Sequence, residues 1–224
     1  MIGTMPYPNV VQFSFPNRRE LTMTMCRPQE FYESSNSEIK GKKFDWEKFL
    51  EVFSDDNGRL EYFSFWSGFN FPGNVFEKFL RVFENDLSRR ERRLAKEVFA
   101  RVNRGNPYYI IATLPSAEET IRHELAHALF CVDEEYKKSS EEGVFNLPLE
   151  IREKMESGLT ALGYSSDVHV DEIQAYLSTG SPEELKKRFD LEWTKTSSVA
   201  EPFKNRLQQK LATNPSGKKI EQTV

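Results

Sequence analysis

The chain has 224 residues, 38% of them hydrophobic and 29% charged, with a formal net charge of −4. That length holds one large domain or a domain with a modest partner, and the acidic balance gives no global reason to expect a nucleic-acid partner. No apolar run approaches the ~18 residues a membrane-spanning helix needs, so none is expected.

Met1 to Val10 carries neither the basic stretch nor the apolar run of a secretory leader. Two cysteines, Cys26 and Cys131, make no disulfide framework. Both features lead to the expectation of a cytoplasmic protein with reduced thiols. Val10 to Phe15 and Leu21 to Cys26 read as short strands, the second on its alternation of Thr and Met. Pro16-Asn17-Arg18 is turn chemistry, so a hairpin is expected there. Asp45 is placed to cap a helix running to about Ser54, with Phe44 and Phe49 set for a hydrophobic staple. Leu60 to Trp66 reads as a strand, Ser67 to Asn74 as an ordered loop, and Val75 to Phe83 as a short helix with Phe76, Phe79, Leu80 and Phe83 on one face.

Ser88 with Glu91 forms a capping box opening a helix that Gly105 closes. Arg89, Arg90, Arg92, Arg93, Lys96, Arg101 and Arg104 lie on it, opposite an apolar stripe of Leu94, Val98 and Val102. That pattern reads as a solvated face. Tyr108 to Leu114, β-branched and aromatic between two prolines, is the best strand in the chain. Ser116 and Glu119 form a second capping box. Beyond the helix it opens, helices are expected over Pro148 to Leu162, Val170 to Leu177, from Ser181-Pro182 onward, and over Ala200 to Leu211 at the surface. Asn214 to Val224 reads as a frayed tail.

The helix opened at Ser116 contains His123-Glu124-Leu125-Ala126-His127. Residues four apart stand one above the other on a helix, so both imidazoles can reach one metal ion. Glu124 lies beside them, where it can take a proton from a metal-activated water. Ile121, Leu125, Ala128, Leu129 and Val132 share one face, while Ala126 and Phe130 make much of the other side apolar too. Such a helix is buried, and buried imidazole and carboxylate groups need partners.

This pentapeptide resembles the signature of the zincins, zinc metallopeptidases built around an H-E-x-x-H helix. Asp171-Glu172-Ile173-Gln174-Ala175-Tyr176 resembles the E-x-x-A segment that supplies the third ligand in the gluzincin branch. The likeness covers roughly residues 107 to 180. It implies an α+β fold with a zincin-like core: a small mixed sheet, the motif helix and a helical C-terminal part, preceded by an N-terminal α+β portion. The expected division is 1–105 for that portion, 106–192 for the core and 193–224 for a C-terminal helix and tail. The strand 108–114 would then be an edge strand that pairs with an extended substrate.

Catalytic zinc takes three protein ligands and leaves a place for water. His123 and His127 are two of them. Glu172, at the head of its own short helix, is the first candidate for the third. Its rivals are His169 and Asp133, the latter six residues after His127 where metzincins place a ligand. Those enzymes need a glycine where this chain has Phe130. Gluzincins commonly carry an Asp four residues after the ligand glutamate to orient a zinc histidine. Here Tyr176 stands at that position, and Asp171 is the nearest substitute.

The expected function is zinc-dependent hydrolysis of a peptide or protein substrate, with Glu124 as general base and His169 or Tyr176 (or Tyr164) at the oxyanion. A non-catalytic zincin-like module that binds protein is the alternative. A nucleic-acid partner for the basic helix is the third reading.

Overall fold

The computed structural model describes residues 1–115 and 117–213. The capping box expected at Ser116 and the tail expected from Asn214 lie outside the described residues. The chain is α+β: a small mixed sheet of four strands and eleven α-helices among the described residues. The described residues form two compact units, 1–121 and 122–213. The division falls within the motif helix. No helix among the described residues is long and apolar enough to cross a membrane.

In the first unit the sheet runs β1-β2-β4-β3, made of β1 (Ile2–Tyr7), β2 (Val10–Ser14), β3 (Gly68–Pro72) and β4 (Tyr109–Thr113). β1 pairs antiparallel with β2, β2 parallel with β4, and β3 antiparallel with β4. The sheet packs with α1 (Arg18–Glu33), α2 (Trp46–Phe53), the single turn α3 (Tyr62–Phe65), α4 (Gly73–Val82) and α5 (Arg89–Phe99). A run of rings fills the core, among them Phe31, Phe49, Phe76, Phe79 and Phe83. Gly73 opens α4 against the Tyr108 ring, which a Cβ there would meet at 2.4 Å.

Several expectations hold here. Asp45 caps α2 by accepting from the Lys48 amide, and Phe44 stacks on Phe49. Ser88 and Glu91 make the reciprocal capping box of α5, although that helix stops at Phe99, short of Gly105.

Five expectations are corrected. Leu21 to Cys26 is not a strand but the middle of α1. The Asn17 side chain accepts from the Glu20 amide and caps the helix, and nearly every residue from Leu21 to Pro28 is buried, so the Thr/Met alternation carried no two-faced pattern. The hairpin lies one strand earlier, between β1 and β2, with Asn9 at φ 59° in its turn. Leu60 to Trp66 yields only the turn α3. The ladder place beside β4 goes to Gly68–Pro72, expected to be loop, whose Phe69 and Phe71 alternate inward. Finally β4 is no edge. It is paired on both sides and all five residues are buried, as a continuous apolar run dictates. It offers no free ladder to a substrate.

The second unit is helical: α6 (Glu118–Val132, its first residues on the other side of the division), α7 (Glu134–Phe145), α8 (Leu149–Ala161), a 3-10 turn at Ser166–Val168, α9 (His169–Thr179), α10 (Pro182–Phe189) and α11 (Trp193–Ala212). Pattern reading foresaw most of these but missed α7, whose polar sequence gives no apolar period. α11 begins seven residues before the expected start and is not merely a surface helix. Thr196, Ala200, Phe203 and Leu207 are buried, and the helix packs along α9. α9 is the spine of the unit, touching α7, α8 and α11. Ile173 and Leu177 enter the core with Leu159, Phe189 and Phe203.

Candidate metal centre

The site lies wholly within the second unit, where one face of α6 meets one face of α9. On α6 the four-residue spacing puts His127 one turn above His123, with ring centres 4.9 Å apart and Nε2 facing Nε2 at 3.2 Å. On α9, Glu172, Tyr176 and Thr179 share a face by the same helical arithmetic, and Asp171 and Ala175 flank it. Ala175 has no exposed surface and keeps that face slim. Glu172 Oε1 stands 3.8 Å from His127 Nε2. One ligand atom from each of His123, His127 and Glu172 lies within 4.8 Å of the others.

Donor bookkeeping fixes the ring tautomers. The Thr179 hydroxyl donates its single proton to the Ala175 carbonyl at 2.8 Å. Its oxygen, 3.1 Å from His123 Nδ1, must therefore accept, which puts the His123 hydrogen on Nδ1. His127 Nδ1 stands 3.0 Å from Asp171 Oδ1 and donates to it. Asp171 thus orients the His127 ring. Neutral rings held this way present two Nε2 lone pairs to each other, an arrangement that needs a cation between them. Glu172 Oε2 is buried and has no hydrogen-bond partner among the described residues. Tetrahedral zinc with bonds near 2.0–2.1 Å sets neighbouring ligand atoms about 3.4 Å apart. The imidazole pair stands close to that spacing, and the Glu172 carboxylate, with Oε1 beside His127 and Oε2 without a partner among the described residues, completes a set that fits a divalent cation.

In the metal-free protein a proton takes the cation's place. Burial alone would favour neutral His127, but the carboxylates of Asp171 and Glu172 outweigh it and raise the ring to about 10. Burial, then the charge of His127, lowers His123 to about 3, leaving it the acceptor. Burial raises Glu172, with His127 opposing. The folded value of His127 lies above its ordinary 6.5, so its contribution to stability is complete below 6.5 and is lost as pH rises through about 10. A cation entering the site between those values would displace that proton. We expect release of about one proton per zinc bound, measured by calorimetric titration in buffers of different protonation enthalpy. Uptake without proton release would contradict the arrangement.

The other residues named from the sequence fall as follows. Glu124 is 9% exposed on α6, and its charge acts on His127. Tyr176 lies against His123, ring centres 4.8 Å apart, with the Arg188 guanidinium 5.5 Å from its ring centre. His169 sits at the head of α9 with Nε2 3.4 Å from the Tyr164 carbonyl, outside the ligand group. Asp133 is spent elsewhere: it caps α7 through the Tyr136 amide and pairs with Lys210 at 3.0 Å. Cys131 is a half-buried free thiol raised to about 11 by burial and by Asp171. Sequence reasoning missed Thr179, although it lies seven residues after Glu172 on the same helical face. It also missed Arg188, whose charge acts on His123, Glu172 and Tyr176.

No protein-family model, curated protein or solved structure matches this chain.

Proposed function

We propose that the chain is a zinc-dependent metallopeptidase with a zincin-like core of the gluzincin type, acting on a peptide or protein substrate in the cytoplasm. The observation that carries this reading is the pair of Nε2 atoms facing each other, their rings held by Asp171 and Thr179, beside the Glu172 carboxylate, whose Oε2 has no partner among the described residues. His123, His127 and Glu172 would hold the ion. Zinc there supplies a Lewis acid that acidifies water and polarises a carbonyl. Glu124 takes the proton of the attacking water and hands it to the leaving amine when the tetrahedral intermediate collapses. Of the three oxyanion donors named from the sequence, Tyr176 lies against a proposed ligand, whereas His169 turns to the backbone carbonyl of the third, Tyr164. The proposal therefore takes Tyr176. A buried carboxylate directly after the first histidine favours the enzyme over a non-catalytic zinc module, which has no use for a base there.

Purified protein is expected to hold one zinc per chain by elemental analysis. Glu172→Ala should lose it, and Asp133→Ala should keep it. Loss with Asp133→Ala and retention with Glu172→Ala would overturn the ligand set.

A further inference from the structure

Behind Asp171 runs a chain of buried polar side chains that the proposed chemistry does not use. Gln174 has no exposed surface and Tyr136 is 1% exposed. Gln174 Nε2 donates to Asp171 Oδ1 at 2.9 Å, the same oxygen that faces His127 Nδ1. The Tyr136 hydroxyl donates to Gln174 Oε1 at 2.9 Å, and the Ser178 hydroxyl lies 3.5 Å from it. Buried polar groups cost free energy that leucine and phenylalanine in the same volume would not. Three in a row, ending on the carboxylate that orients His127, call for a reason beyond packing.

The reason lies in the symmetry of a primary amide. Its oxygen and nitrogen ends have nearly the same shape, so packing alone does not choose between the two orientations. Reversed, Gln174 would set its carbonyl against the Asp171 carboxylate, acceptor against acceptor, and Asp171 would turn away. The Tyr136 proton on Oε1 holds the amide the right way round. The amide N–H then anchors Asp171 Oδ1, and Asp171 in turn requires a hydrogen on His127 Nδ1. His127 Nε2 is left as the nitrogen open to a cation, pointing at His123 and Glu172.

We infer that Tyr136 and Gln174 are positioning residues that fix the tautomer and aim of His127 through Asp171, an inference that rests on the metal-centre reading above. The relay reaches the site from α7, a helix that contributes no residue to the ligand group. It also explains why α7 and α9 face each other with polar side chains in an otherwise apolar unit.

The test is zinc affinity, read by competition with a chromophoric chelator on the full chain. Tyr136→Phe removes one hydroxyl and Gln174→Leu removes the amide. Each is expected to weaken zinc binding roughly tenfold, the low end for partners outside the ligand set. The double variant should bind no more weakly than Gln174→Leu alone, because the hydroxyl acts only through the amide. In the zinc-loaded protein, nitrogen-15 correlations of His127 should show hydrogen on Nδ1 in the parent, with that signal broadened or lost in Tyr136→Phe. Leu159→Ala, in the core of the same unit, should lower thermal stability and leave zinc affinity unchanged. Unchanged affinity in Tyr136→Phe overturns the relay alone. So do equal losses from that change with and without Gln174, or an equal loss in Leu159→Ala. A parent chain that takes up no zinc overturns the metal-centre reading and the relay together.

Discussion

Glu124→Gln is expected to keep its zinc and lower the turnover of peptides by about 10²- to 10⁴-fold, the range associated with a single general base. Gln has the volume and one acceptor oxygen of Glu, so the burial of position 124 is respected and α6 need not move. What it lacks is a site for the proton. The expected pattern is therefore a fall in kcat with little change in KM, since no substrate contact is removed. The measurement is hydrolysis of a quenched fluorescent peptide library by parent and variant, each assayed for zinc. A variant as fast as the parent would remove Glu124 from the role of base. A parent that holds zinc yet cleaves no member of the library would favour the non-catalytic module. Loss of zinc in the variant would place Glu124 in the ligand set and require a different base.

The contrast between residues that were legible in the sequence and those that were not has a physical pattern. The pentapeptide was readable because helical spacing converts directly into juxtaposition: positions 123 and 127 have to stack, whatever surrounds them. Glu172 was readable from its place at the head of a helix with Ile173 and Leu177 turned inward, and its carboxylate does lie within 4.8 Å of a ring nitrogen of each motif histidine. Asp133 was a fair rival only while α7 went unread, because as the cap of that helix its carboxylate is already committed. α7 itself carries two serines, three lysines or tyrosines and four glutamates in twelve residues, and its burial is decided by Tyr136, Ser140 and Val144 alone. Three buried positions make too sparse a stripe for periodicity to catch.

The first unit failed in a different way. β1 was hidden by Gly3, Pro6 and Pro8, which argue locally against a strand. β3 was hidden by Gly68 and Pro72 at its ends, although Phe69 and Phe71 carried the alternation between them. α1 was mistaken for a strand because a four-residue alternation was given more weight than the cap at Asn17. In each case a pairing or a cap, formed at a distance or at a terminus, overruled the local preference. The placement of β4 at the centre of the sheet follows the same logic. Its sequence showed an unbroken apolar run, and only a strand covered on both faces and both edges can bury one.

The largest expected loss of stability lies in that first unit, at Arg27. Its guanidinium is bidentate on Glu91, Nε and Nη2 each 2.8 Å from a carboxylate oxygen, and Nη2 also donates to the Asp86 carbonyl at 3.0 Å. The side chains are 3% and 1% exposed, and the cation lies 4.7 Å over the Phe83 ring, with Phe79 and Trp46 further off. Glu91 has a second task, accepting from the Ser88 amide in the capping box of α5. Arg27→Met preserves much of the stem's packing but strands the Glu91 charge among rings. Removing one partner of such a buried pair costs about 3–5 kcal/mol, because the remaining charge keeps its desolvation penalty. Glu91→Gln alone leaves the guanidinium uncompensated and should cost a similar amount. The double variant Arg27→Met with Glu91→Gln removes both charges while Gln retains an oxygen for the cap, so it should be more stable than either single variant. Urea unfolding followed by hydrogen exchange of α1 and α5 amides reads these differences within the first unit. Losses that simply add in the double variant would mean that the two residues contribute independently and that the ion pair is incidental to the packing around it.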